Sequence, residues 1–136
     1  MKSKFIIYGF GAQPERKNLT FKGPSAESFL QDLASARYAI TNGGHNVLCE
    51  ALCLGKPILS FPIANVYEQF LNAYFLSQRG YGMYSVASVP SERSLLDFEA
   101  RVDEFKSNIR SANFLSGNNE LTRVMETLIA RGESRR

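Results

Sequence analysis

The stretch Thr41-Asn42-Gly43-Gly44-His45-Asn46-Val47-Leu48-Cys49-Glu50-Ala51-Leu52 decides the fold of this 136-residue chain. Two adjacent glycines join a short apolar run, Tyr38 to Thr41, to a segment with helical periodicity from about Asn46 to Leu54. Gly55 stands where a helix ends in the left-handed region, and Pro57 where it cannot continue. Pro57 to Phe61 then reads as a second strand, closed by Pro62. Strand, glycine turn, helix and strand in that order form the building unit of a parallel sheet.

The alternation extends in both directions. Upstream, Phe5 to Tyr8 is a β-rich run ending in Gly9-Phe10-Gly11, which reads as a chain reversal because a charged loop, not a helix, follows. After the polar loop Ala12 to Asn18 comes a short strand from Leu19 to Phe21. Pro24 and Ser25 open a helix with Ser25 as N-cap and Phe29, Leu30, Leu33 and Ala34 as its buried stripe. Downstream, a helix from Tyr67 to Arg79 is stopped by Gly80, with Phe70, Ala73 and Tyr74 as its buried stripe. Tyr81 to Ala87 is extended, and helices from Arg93 to Ser111 and from Glu120 to Arg131 finish the chain. Strands separated by single helices imply an α/β protein with a doubly wound parallel sheet and right-handed crossovers. Ligands of such sheets sit outside the carboxyl ends of the strands, here the loops after Thr41 and Phe61. No repeat or linker divides the chain, so residues 1–136 are expected to form one domain.

Composition narrows the function. Apolar residues make up 44% and charged residues 21%, which excludes a disordered or coiled-coil chain. The apolar runs are too short to span a membrane, and Met1 to Tyr8 lacks the form of a signal peptide. The net charge of +3 owes much to Arg131, Arg135 and Arg136 in the tail, expected to be solvated and frayed. No basic stripe occurs elsewhere, so no nucleic-acid partner is expected. Cys49 and Cys53 stand four apart in an apolar segment and read as reduced, buried thiols of a cytoplasmic protein. One histidine and two cysteines make no metal set, so neither a metal nor another cofactor is expected. No Ser/His/Asp arrangement is supported, because His45 lies in the glycine turn.

The chemistry is expected at the two strand ends. Glycines let a backbone approach a ligand, and a helix start presents free N–H groups with partial positive charge. Together they suit a phosphate or pyrophosphate at the Gly43-Gly44 turn and the helix start that follows it. Asn46 and Glu50 share a helix face, which places the Glu50 carboxylate to accept hydrogen bonds from ribose hydroxyls. A plain tight turn, with Glu50 complementing the helix dipole, is the competing reading. The crowd of Asn42, His45, Asn46 and Glu50 in an otherwise apolar stretch favours the ligand. In Phe61 to Ala73, Glu68 and Gln69 fall near the start of the next helix, where they suit a sugar's hydroxyls or, more plainly, cap that helix.

At these two segments the sequence resembles the donor-binding half of GT-B glycosyltransferases. The matching pattern is Gly43-Gly44, Glu50, Gly55-Lys56-Pro57, Pro62, Gln69 and Asn72-Ala73, within a match from about Leu19 to Tyr84. It is similar to UDP-glycosyltransferases and to the bacterial peptidoglycan N-acetylglucosaminyltransferase. It is also similar to prokaryotic transferases with Glu-Gln before the Asn-Ala and a later Tyr-Gly, here Glu68-Gln69 and Tyr81-Gly82. The resemblance implies a Rossmann-like sheet, one half of a GT-B fold, in a soluble or membrane-associated parent enzyme. It implies that Gly44, His45, Asn46 and Val47 bind the diphosphate of a UDP-sugar through backbone N–H groups, and that Glu50 holds the ribose. Glu68 and Gln69 would touch the transferred sugar, and the turn from Phe21 to Ser25 lies where the family places the nucleobase. Asn42 stands where plant-type members carry a phosphate-contacting histidine. Family members also have an N-terminal acceptor-binding domain and an opening strand before the one matching Phe5 to Tyr8. Neither is found in this sequence, which implies a fragment of a larger enzyme. A sugar-nucleotide epimerase domain and a non-catalytic nucleotide-binding subunit of a split transferase are the alternatives.

Overall fold

The computed structural model describes residues 3–11, 13–87, 91–114 and 118–133. Strands β1 (Phe5–Tyr8) and β2 (Leu19–Lys22) lead into α1 (Ala26–Ser35), β3 (Ala39–Thr41), α2 (His45–Cys53) and β4 (Ile58–Ser60). They are followed by α3 (Tyr67–Gln78), β5 (Gly82–Tyr84), α4 (Glu92–Glu99), α5 (Val102–Ala112) and α6 (Asn118–Glu133). Every strand pairing among the described residues is parallel; β3–β4 and β4–β5 are each joined through one helix, whereas no helix is described between β1 and β2. The strands fall into two ladders, β1–β2 and β3–β4–β5. Ile6 of β1 and Ile40 of β3 are each 45% exposed, whereas all three residues of β4 are buried.

β4 is the hub because its alternate side chains feed two cores. Ile58 packs with Leu33 of α1, Leu48 and Ala51 of α2 and Leu76 of α3. Leu59 points the other way, onto Phe98 of α4 and Val102 and Phe105 of α5. Helices therefore cover both faces of the sheet, which is the expected doubly wound α/β architecture. β5 approaches β4 so closely that a Cβ at Gly82 would collide with the Ile58 carbonyl oxygen.

Local signals account for the helix ends. The Ser25 hydroxyl accepts from the Ser28 amide at 3.4 Å, as expected of the N-cap of α1. α2 closes with Gly55 at φ +69°, Gly55 N–H donating to the Leu52 carbonyl and Lys56 N–H to the Ala51 carbonyl. α3 closes in the same way at Gly80, with Gly80 N–H to Ser77 and Tyr81 N–H to Leu76.

Several expectations need correction. Cys49 and Cys53 are exposed free thiols, because α2 buries the side carrying Leu48 and Ala51 and turns the cysteines away. On α1, Leu33 is buried and Phe29 packs on the core, but Leu30 and Ala34 are exposed. The inward side is rotated toward Asp32, which receives hydrogen bonds from Tyr8 and Lys22. On α3 the buried residues are Ala73 and Leu76, while Tyr74 stays exposed and stacks on Phe70. The helix expected from Arg93 to Ser111 is two, broken at Ala100–Arg101. Gly9 at φ +90° and Gly11 at φ +69° both take the left-handed backbone just after β1. Arg135 and Arg136 of the tail lie outside the described residues. No helix among the described residues is long and apolar enough to cross a membrane.

Candidate functional site

The carboxyl ends of β3 and β4 bring the two singled-out segments together. Gly43 is buried at φ +87°, and a Cβ there would stand 2.8 Å from the Gln69 carbonyl oxygen and 3.0 Å from the Ser60 hydroxyl. Only glycine combines that backbone conformation with that proximity. The Asn72 side-chain amide donates to the Gly43 carbonyl at 3.1 Å and so fastens α3 to the turn. The Gln69 side-chain oxygen accepts from the Ile63 amide at 3.1 Å, which leaves its NH₂ as the free end.

Side chains within the turn orient its backbone. Thr41 Oγ1 accepts from the Gly43 amide at 3.4 Å, and Asn42 Oδ1 accepts from the Gly44 amide at 3.2 Å. Gly44 is the N-cap of α2 and has no side chain to cap with. The first amide to find a carbonyl is that of Leu48, which donates to Gly44 at 3.2 Å. The amides of His45, Asn46 and Val47 have no acceptor among the described residues. The first turn carries no acidic residue either, so the partial positive charge of the helix end is uncompensated. Glu50 lies in the second turn, and the dipole effect fades beyond the first. Complementing the dipole is therefore a weak reason for Glu50 to be there.

The remaining residues frame this end. His45 and Asn46 are exposed, Val47 and Glu50 half-buried, and His45 Nε2 lies 3.5 Å from Cys49 Sγ. Glu68 is exposed at the start of α3, Gln69 half-buried behind it, and Tyr67 is 72% exposed. The turn expected near the nucleobase holds Lys22, whose ammonium lies 2.7 Å from the Asp32 carboxylate. Lys22 and the Tyr8 hydroxyl together hold the Asp32 carboxyl below its usual range.

Two residues of the site were not assigned roles from sequence. Ser60 is fully buried under Gly43, and its hydroxyl is the one buried side-chain polar atom without a partner among the described residues. Its signal was a lone hydroxyl in the apolar run Ile58 to Pro62. In the sequence Asn72 stands out only as part of the Asn72-Ala73 pair of the matching pattern. Its place in the inward row of α3, next to Ala73, marks it as a structural clasp.

The chain has relatives. Residues 1–103 match the profile of Glycosyl transferase family 1. An uncharacterized glycosyltransferase of Methanosarcina acetivorans is 29% identical across 95% of this chain, which spans 37% of that relative's length. A Clostridium botulinum UDP-N-acetylglucosamine–N-acetylmuramyl-(pentapeptide) pyrophosphoryl-undecaprenol N-acetylglucosamine transferase is 32% identical over 74% of this chain and 29% of its own length. Among solved structures, spinosyn forosaminyltransferase superposes on 93% of this chain and 35% of its own, with a TM-score of 0.73 and 19% identity. The calicheamicin glycosyltransferase CalG4 covers 74% of this chain and 25% of its own at a TM-score of 0.59 and 20% identity. These likenesses show a GT-B type fold, and because the profile covers most of the chain, the protein belongs to Glycosyl transferase family 1.

Proposed function

We propose that this chain is the donor-binding domain of a glycosyltransferase that moves a sugar from a nucleotide-sugar, of the UDP type, to an acceptor hydroxyl. The observation that carries the reading is the start of α2, where three consecutive amides lack a protein acceptor and no acid offsets the helix end. A diphosphate placed there accepts hydrogen bonds from His45, Asn46 and Val47, with the Asn42–Gly43–Gly44 turn keeping the backbone open to it. Glu50, one turn further along the same helix, accepts from the ribose hydroxyls. Glu68 and the free NH₂ of Gln69 meet the transferred sugar. The UDP assignment is supported by the Clostridium botulinum relative, whose name gives UDP-N-acetylglucosamine as the donor.

In the reaction the acceptor oxygen bonds to sugar C1 as the bond from C1 to the diphosphate breaks. Negative charge then collects on the leaving diphosphate, which the amides of α2 already face. Preorganised donors of this kind contribute roughly 3 kcal/mol each to such a step. The acceptor, and the base that takes its proton, belong to a further domain of the parent protein, consistent with the 37% coverage of the first relative. Titration calorimetry with UDP on the intact two-domain protein tests the proposal. Binding is expected, and Glu50→Ala should weaken it roughly tenfold by removing a charge-assisted hydrogen bond. Absent binding, or affinity unchanged in Glu50→Ala, defeats the reading.

A further inference from the structure

The opposite end of α2 carries a second concentration of charge. Its C-terminal closure fixes Lys56 immediately after the helix, with the Lys56 amide 2.8 Å from the Ala51 carbonyl. The nine residues of α2 separate this point from the glycine turn by about 13 Å. Here α2 and α5 border a cleft of about 340 Å³ lined by Lys56, Lys106, Arg110 and Asn113, with Ile109 and Gly55 between them. Three of its lining side chains are cationic, and none is a carboxylate. None of the three forms an ion pair with a described residue.

Lys106 and Arg110 are four apart on α5 and so share one face, where like charges repel. Asp103, one turn before Lys106, does not line the cleft, and Glu104 is occupied by Arg101 at 2.9 Å. Lys56 is half-buried, and its ammonium is held below the ordinary lysine range first by burial and then by Lys106. The helix ends supply only part of the missing negative charge. α2 and α5 both end at this cleft, each contributing roughly half a negative charge, so about two of the three positive charges stay uncompensated. Inorganic phosphate at neutral pH carries about that much charge of opposite sign, and a lipid phosphodiester roughly half of it.

We propose that this cleft is a second anion site, taking a phosphate group between Lys56 of the α2 closure and the Lys106–Arg110 pair of α5, with the Asn113 side chain as a neutral donor. The phosphate is either free or the headgroup of an anionic lipid. The site is separate from the donor end of α2 and does not rest on the donor reading.

Amide-resolved NMR titration of the 136-residue chain with inorganic phosphate, at constant ionic strength set with chloride, tests it. The amides of Gly55, Lys56, Lys106, Arg110 and Asn113 are expected to shift in a saturable way, whatever happens at Gly44 to Val47. The Lys106→Gln/Arg110→Gln double variant changes two exposed residues and should weaken that response roughly tenfold or more, with the rest of the spectrum unchanged. Lys106→Arg/Arg110→Lys should keep it. Co-sedimentation with phosphatidylglycerol-containing vesicles, against phosphatidylcholine alone, separates the sources. Vesicle binding lost in the double variant assigns a lipid headgroup, and phosphate shifts without vesicle binding assign a soluble ligand. The proposal is overturned if neither phosphate nor vesicles engage these residues. It is equally overturned if chloride alone reproduces the shifts, or if the response persists in the double variant.

Discussion

At position 43 a methyl group has nowhere to go. The backbone is left-handed, and the Gln69 carbonyl and Ser60 hydroxyl already crowd the spot where a Cβ would stand. Gly43→Ala should cost about 1–3 kcal/mol in urea unfolding, through strain and displaced neighbours. It should also lower UDP affinity, since the turn and the α2 amides move together. Gly23→Ala is the control: nothing lies within 4 Å of its would-be Cβ, and stability should stay within about 0.5 kcal/mol of the parent. If both glycines tolerate alanine equally, the turn is not the constrained element that its geometry implies. The turn was legible in the sequence because glycines and amides interrupt an apolar run. Ser60 escaped notice because nothing in one strand's sequence tells which neighbouring turn will settle on it.

At the scale of elements, capping sets where the helices begin. The Ser91 hydroxyl accepts from the Ser94 amide at 3.1 Å at the start of α4, a shorter bond than that of Ser25 in α1. Ser91→Ala should therefore destabilise by about 1 kcal/mol and Ser25→Ala by less, both read from thermal or urea melts. The reverse order would show that bond length does not rank the two caps. Ser25 could be recognised in advance because serine followed by helical periodicity is a local signal. The division between α4 and α5 could not, since Phe98, Val102 and Phe105 keep helical spacing straight across it. No glycine or proline marks the spot, and the break is a tight turn with the Arg101 amide on the Phe98 carbonyl at 3.0 Å. The cysteines of α2 failed for a related reason. Periodicity says that a helix has an inner side, but with apolar residues nearly all round it does not say which side.

For the whole molecule, two polar ties predict how stability follows pH. Asp32 joins α1 to β1 and β2, with Lys22 first and Tyr8 second holding its carboxyl below the ordinary value of 3.8. Its contribution is present above pH 3.8 and is lost as pH falls through the lowered folded value. Tyr38 runs the other way. Burial first and its hydrogen bond to Glu99 second raise it well above 10.0, so its contribution is present below pH 10.0 and lost as pH rises through the raised value. Melting temperature against pH should be highest between these limits. Asp32→Asn should flatten the acid limb and Tyr38→Phe the alkaline one; unchanged limbs would remove these two groups from the account.

Glu99 receives the Ser3 hydroxyl at 3.4 Å and the Tyr38 hydroxyl at 2.6 Å on the same oxygen. The starts of β1 and β3 are thus pinned to one carboxylate, yet the two strands make no ladder with each other. β1 pairs only with β2 and β3 only with β4, so each keeps one edge of backbone donors and acceptors without a strand partner among the described residues. An edge of this kind accepts a further extended strand by backbone pairing, so each of the two ladders has room to grow there.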